Sequence, residues 1–291
     1  MIGVSPAYFI SRFSERFTPF DVAEGLIDLA EMGFLGFQLE VFHGENLGNW
    51  QNGGARLIRR RSHDLGMAAP QFIAHFMIQD FNRPESLYSD SDLEHIRSVL
   101  DIVFLFDECS TITIPLGPFE GSRTPTENDY KDYFDRLVEK FHSLIEVVTQ
   151  AGRTLAVEIL PSALLGGIDG FLRLCDRLET KTLKLNFDTG HAWASKENLY
   201  LIPAKLGKRI AGTHLCDNFQ NENLSLRPGA GSIDWPRIIR ALRLSGYDGW
   251  FDLEIICGPD MIHQEYREGR NIIHRLLENS NKNIDQVKEY K

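Results

Sequence analysis

Eight short apolar runs, each separated from the next by a longer amphipathic stretch, constrain this chain more than any other feature. The runs are Ile2 to Ser5, Phe37 to Val41, Ala69 to His75, Thr111 to Pro115, Leu155 to Ile159, Leu183 to Phe187, Ile210 to His214 and Trp250 to Glu254. They read as strands. Helices between them require crossover connections and therefore parallel pairing. Eight βα units close a barrel, so the predicted fold is α/β, a single (β/α)8 TIM barrel over residues 1–291. A doubly wound open sheet is the alternative, but no GxGxxG turn follows the first strand.

The intervening stretches carry helix signals. Thr18-Pro19-Phe20-Asp21 places a hydroxyl cap, a first-turn proline and an acidic third residue ahead of Val22, Leu26 and Leu29, with Gly33 as the stop. Asp234-Trp235-Pro236 repeats the device ahead of Ile238, Ile239 and Leu242, ended by Gly246. Further helices are predicted over Asp90 to Glu108, Asp129 to Gln150, Asp169 to Leu178, Lys196 to Leu206 and Pro259 to Leu277, with a more basic one over Asn52 to Leu65. The polar tail from Asn279 to Lys291 is expected to fray.

Composition excludes some partners. Lysine and arginine number 31 against 41 acidic residues, a formal charge of −10, which repels phosphate backbones and anionic membranes, so neither nucleic acid nor membrane is an expected partner. No apolar run approaches the ~20 residues that span a bilayer, and Met1 to Ile10 lacks a basic region followed by a long apolar stretch, so no signal peptide is expected. Cys109, Cys175, Cys216 and Cys257 form no CxxC pair, which points to a reducing, cytoplasmic setting.

Four consecutive strand ends carry the chemistry. Thr154-Leu-Ala-Val runs up to Glu158, Leu185-Asn186-Phe187 to Asp188, Ile210-Ala-Gly-Thr to His214, and Trp250-Phe-Asp-Leu to Glu254. In a parallel barrel all carboxyl ends of strands lie on one rim, so residues far apart in sequence converge there. The strand period of two allows one choice of face to point all four inward. Three carboxylates and an imidazole are hard and borderline donors suited to one divalent cation. Taken singly, each could instead be a solvated loop residue or a helix cap.

Val157-Glu158, Asn186-Phe187-Asp188-Thr189-Gly190-His191-Ala192, His214-Leu215-Cys216-Asp217, Arg227-Pro228-Gly229-Ala230-Gly231-Ser232-Ile233-Asp234-Trp235, Gly246-Tyr247-Asp248-Gly249 and Leu253-Glu254 follow in order. This series resembles the xylose-isomerase-like TIM-barrel superfamily of sugar epimerases and isomerases, densely over Leu155 to Ile256 and loosely before. The resemblance implies that Glu158, Asp188, His214 and Glu254 bind one Mn²⁺, Mg²⁺, Co²⁺ or Zn²⁺. It implies that Glu158 and Glu254 also form the acid/base pair, that His191 hydrogen-bonds the substrate, and that Arg227 contacts its oxygens. A homodimer is the expected assembly by the same resemblance.

The expected substrate is a small carbohydrate, a ketose or keto-cyclitol. A cation held beside its carbonyl and neighbouring hydroxyl makes the adjoining carbon acidic enough for a carboxylate to deprotonate, giving an enediolate. Return of a proton to the opposite face gives an epimerase, and return to the adjacent carbon an isomerase. Loss of a β-hydroxyl from the same intermediate gives a dehydratase. Phosphodiester cleavage, as in the AP-endonuclease branch, needs more histidine ligands and a basic groove, and the net charge argues against it.

Other positions carry further expectations. His75 and Glu40 end strands and are substrate-contact candidates. Phe9, Phe42, Trp50 and Trp193 are either aromatic walls of the pocket or core residues. His43 is read as a loop residue and Cys216 as pocket lining. Lys184 and Asp252 share the inward parity of Asp188 and Glu254, so a buried ion pair between them, or one completed by Gln38 or Gln71, is expected.

Overall fold

The computed structural model describes residues 1–121 and 124–288, with only the backbone described over 281–288. Its strands are β1 (Ile2–Val4), β2 (Gly36–Phe37), β3 (Leu39–Glu40), β4 (Gln71–Ile73), β5 (Thr111–Leu116), β6 (Thr154–Ile159), β7 (Lys184–Asp188), β8 (Ile210–Leu215) and β9 (Phe251–Leu253). The neighbour order is β2-β1-β9-β8-β7-β6-β5-β4-β3. The two ends of that order, β2 and β3, are consecutive in the chain and separated only by Gln38. β2 pairs with β1 and β3 with β4, all in parallel. They are two halves of one strand position, so the ring of eight positions is completed through Gln38, and each predicted run contains strand.

Local chemistry sets the helices. Thr18 and Asp21 form a reciprocal capping box at the helix Pro19–Glu31, and Asp234 accepts from the Arg237 amide at Trp235–Leu244. A second capping box, Thr126 with Asp129, starts the helix Glu127–Gln150 two residues before Asp129 itself. The inner faces of these helices, among them Leu26, Leu29, Phe141, Leu144, Ile238 and Leu242, are buried in the core they share with the strands. Each such side chain contributes about 1.5–3 kcal/mol of hydrophobic stabilisation.

Several elements differ from expectation. The stretch from Lys196 to Leu206 is helical only over Ile202–Leu206, because Lys196 turns into the left-handed region at φ +62. The last helix runs from Ile262 to Lys288, so the chain stays helical well past Asn279, while residues 289–291 of the expected frayed tail lie outside the described residues. The basic helix spans Ala55–Asp64.

The Lys184 to Asp252 ion pair does not form. Lys184 Nζ donates to the Lys208 carbonyl at 2.8 Å, and Asp252 is instead bound by Gln38. A register shift between Leu185 and Asn186 separates the start of β7 from its end. Beyond it Asn186 aligns with Gly212 and Asp188 with His214, so the placement of Asp188 survives the correction. Among the described residues no helix is long and apolar enough to cross a membrane, and the four cysteines are free thiols.

Candidate metal centre

Glu158 on β6, Asp188 on β7, His214 on β8 and Glu254 just past β9 come together at one rim, each offering a ligand atom within 4.8 Å of the others. His214 Nδ1 lies 2.9 Å from Glu158 Oε1, 2.7 Å from Glu254 Oε2 and 3.8 Å from Asp188 Oδ2. Glu158, Asp188 and His214 are buried, and Glu254 is the most open of the set with its side chain 15% exposed. Ser5, just past β1, helps to hold the Glu254 carboxyl down.

Burying three carboxylates is costly unless positive charge meets them. Among the described residues their ion-pair partners are His191 and His214, with no lysine or arginine. The titration behaviour reflects that shortage. Burial pushes Asp188 up to about 7, with Glu254 and Glu158 adding to the rise. Burial would push Glu254 up as well, but His214 outweighs it and holds this carboxyl down at about 2. Burial works against a charged His214, yet Glu158 and Glu254 raise it well above the ordinary histidine range. Hard oxygen donors with one imidazole, buried and short of positive charge, fit a single divalent cation.

The DTGH run explains itself locally. Asp188 Oδ1 caps the short helix Thr189–Ala194 by accepting from the His191 amide at 2.5 Å, which leaves Oδ2 toward His214. Thr189 Oγ1 donates to the Cys216 carbonyl at 2.7 Å and ties this turn to the end of β8. Gly190 is there for close approach, since a Cβ would meet Asn223 Oδ1 at 2.3 Å and Cys216 Sγ at 2.5 Å. Asn223 Nδ2 lies 3.2 Å from His191 Nδ1, and His191 Nε2 lies 4.0 Å from Glu158 Oε1, beside the four donors and not among them. Burial disfavours charge on His191, but Asp188 and Glu158 outweigh it and raise its pKa.

The HLxD and PGxGxIDW segments form one anchor. Asp217, fully buried, accepts from the amides of Asn218, Gly229 and Ile233 and from Trp235 Nε1 at 2.7 Å. At Gly231 a Cβ would lie 2.3 Å from Asp217 Oδ1 and 2.5 Å from the Asn218 carbonyl oxygen. Gly231→Ala is therefore expected to overpack this knot and destabilise the fold by about 1–3 kcal/mol, read as a lowered Tm in calorimetry. An unchanged Tm would show that the loop yields without cost.

The remaining candidates divide. Glu40 is buried, its Oε2 has no hydrogen-bond partner, and burial followed by the charges of Glu254 and Glu158 raises its carboxyl well above the usual range. His75 stacks on Phe42 at 3.9 Å, and burial lowers its pKa while Glu158 and Glu254 pull the other way. Both thus lie within electrostatic reach of the cluster. Arg227 is turned elsewhere, paired with Glu265 at 3.2 Å and Glu268 at 2.9 Å on the last helix. Phe9 and Trp50 are core, while Trp193 bonds Ser232. His43 lies 3.8 Å from Glu15. Cys216 Sγ sits 3.8 Å from both Asp188 oxygens as buried lining.

A family model described as xylose isomerase-like TIM barrel matches residues 26–276. The chain belongs to that family. An inosose dehydratase of Geobacillus thermodenitrificans (strain NG80-2) is 25% identical over 146 residues, covering 44% of this chain and 49% of that protein, so the chain spans about half of that relative. A D-tagatose 3-epimerase-like protein superposes with a TM-score of 0.74 at 19% identity, over 97% of this chain and 99% of the other. An IOLI protein with a binding zinc atom gives a TM-score of 0.69 at 14% identity, over 100% and 99%. At these identities the structural likeness is one of fold.

Proposed function

We propose that the chain is a divalent-cation-dependent enzyme that moves a proton at the carbon beside the carbonyl of an unphosphorylated ketose or keto-cyclitol, and so epimerises or isomerises it. The observation that carries this is the placement of Glu158 and Glu254 as the outer members of the four-residue arc, both within 2.9 Å of His214 Nδ1. Glu158, Asp188, His214 and Glu254 would hold the cation, which supplies stabilisation for negative charge developing on the substrate's paired oxygens. Glu254, ionised and the most open of the four, is the first base, and Glu158 returns a proton from its own side of the arc. Positioned transfer of this kind contributes roughly 10²- to 10⁴-fold.

His191, its proton favoured by Asp188, donates to a substrate oxygen, with Asn223 fixing its ring. Glu40 and His75 contact hydroxyls farther along the chain or ring. Arg227 takes no part, and its pairing with Glu265 and Glu268 supports a substrate without phosphate. The zinc in the IOLI protein supports zinc as one cation to test beside manganese, magnesium and cobalt.

Dehydration is a second reading, favoured by the partial likeness to an inosose dehydratase and by Glu40, a buried carboxyl outside the ligand set that can protonate a leaving hydroxyl. Protein loaded in turn with each cation and incubated in D₂O with a panel of ketoses and keto-inositols distinguishes the outcomes by NMR and mass. Epimerisation places deuterium at one carbon and keeps the formula, whereas dehydration removes one water. Failure of every cation to promote either deuterium entry or water loss would sink both readings.

A further inference from the structure

Beneath the ligand layer, three buried side chains form a line. Gln38, at the break between β2 and β3, places Oε1 2.7 Å from His214 Nε2, and its Nε2 donates to Asp252 Oδ2 at 2.9 Å. Gln38 and Asp252 are each 1% exposed and His214 2%. The main chain fixes all three: the Gln38 amide donates to the Val4 carbonyl, and His214 and Asp252 are register partners on adjacent strands.

A glutamine amide has one donor end and one acceptor end, and its orientation follows from what each end meets. In the structure the NH₂ of Gln38 faces an acceptor oxygen of Asp252 and its carbonyl oxygen faces Nε2 of His214. That oxygen can only accept as well, so Nε2 of His214 carries a hydrogen. The lone pair of the neutral ring is left on Nδ1, the nitrogen surrounded by Glu158, Asp188 and Glu254. With the amide reversed, its NH₂ would claim the Nε2 lone pair and Nδ1 would present a hydrogen to the site.

We propose that Gln38, oriented by Asp252, is a positioning residue that selects Nδ1 of His214 as the nitrogen offered to the cation. This rests on the reading of Glu158, Asp188, His214 and Glu254 as ligands, and goes beyond it by assigning the device that sets the tautomer. Hydrogen-bond partners of ligating histidines typically control metal affinity by 10- to 100-fold.

The test uses the full chain and Zn²⁺ alone. Long-range ¹⁵N NMR of the zinc-loaded, histidine-labelled wild type is expected to show His214 metallated at Nδ1 and protonated at Nε2. Calorimetry is expected to show Zn²⁺ binding weakened about 10- to 100-fold in Gln38→Leu and Gln38→Met, and largely restored in Gln38→Glu, which keeps an oxygen facing Nε2. His214 metallated at Nε2 would overturn the inference, as would unchanged affinity in folded Gln38→Leu and Gln38→Met. If Glu158→Gln weakens binding while the Gln38 variants do not, the inference fails alone. Wild type that binds no Zn²⁺ overturns the inference and the ligand reading together. The NMR readout needs no variant, so a Gln38 substitution that fails to fold does not shield the idea.

Discussion

Replacing either Glu158 or Glu254 by glutamine is expected to lower turnover by roughly 10²- to 10⁴-fold at saturating cation, and to abolish inversion. The amide keeps the size and one oxygen donor of each side chain but cannot take up a proton. The two carboxylates reach His214 from opposite ends of the β6-to-β9 arc, so under the proposed function each would serve one face of the substrate. Each variant should therefore still exchange solvent deuterium into the epimer whose proton faces the surviving glutamate, returning it to the same face. Exchange without inversion, with opposite epimer preference in the two variants, is the signature to seek by NMR. Near wild-type interconversion in either variant would remove that glutamate from the proton path.

The barrel was legible because apolar runs and helix caps are short-range signals. Thr18 with Asp21 and Asp234 with Arg237 act within one turn, and their helices start where the sequence says they should. The four donors were legible for a related reason: a carboxylate or histidine ending an apolar run is conspicuous, and parallel topology sends all such ends to one rim. What escaped depends on contacts across the barrel. The period-two argument for Lys184 failed because Lys184 lies at the partly exposed start of β7, where its ammonium reaches the Lys208 carbonyl instead of Asp252. Arg227 pairs with Glu265 and Glu268, a choice made only once the last helix packs beside the loop. Gln38 was expected only as a partner of Asp252, and its reach to His214 was not, while Ser5 and Asn223 act on Glu254 and His191 through groups that look in sequence like any polar residue. Gly190 lies within the short helix Thr189–Ala194, and only packing against Asn223 and Cys216 reveals the need for a missing Cβ.

Cation affinity should rise with pH through neutrality, where Asp188 titrates at about 7, and continue to rise through the raised range of His214. Glu158 and Glu254 raise His214 well above 6.5 against the effect of burial, so without a cation its Nδ1 holds a proton between two carboxylates. Burial brings Asp188 to about 7, which adds a second group that is partly protonated at neutral pH. A cation needs the Nδ1 lone pair and the Asp188 carboxylate, and must displace whatever protons they carry. Below these pKa values the apparent affinity therefore falls by about one decade per pH unit for each proton displaced. The effect on stability has the opposite sign for the two states of the site. The raised His214 pKa stabilises the cation-free fold most fully below the ordinary histidine value, and that contribution is lost as pH rises through the folded value. Cation binding grows as Asp188 ionises around pH 7 and as His214 gives up its proton at higher pH, so the rise in Tm on adding Zn²⁺ or Mn²⁺ should increase from pH 6 upward, following about RT ln(1 + [L]/Kd). Calorimetry in buffers of different ionisation enthalpy counts the protons directly, and one to two released per cation near pH 6 is the expected result. Binding that is independent of pH, with no proton release, would show that the cation does not engage His214 Nδ1.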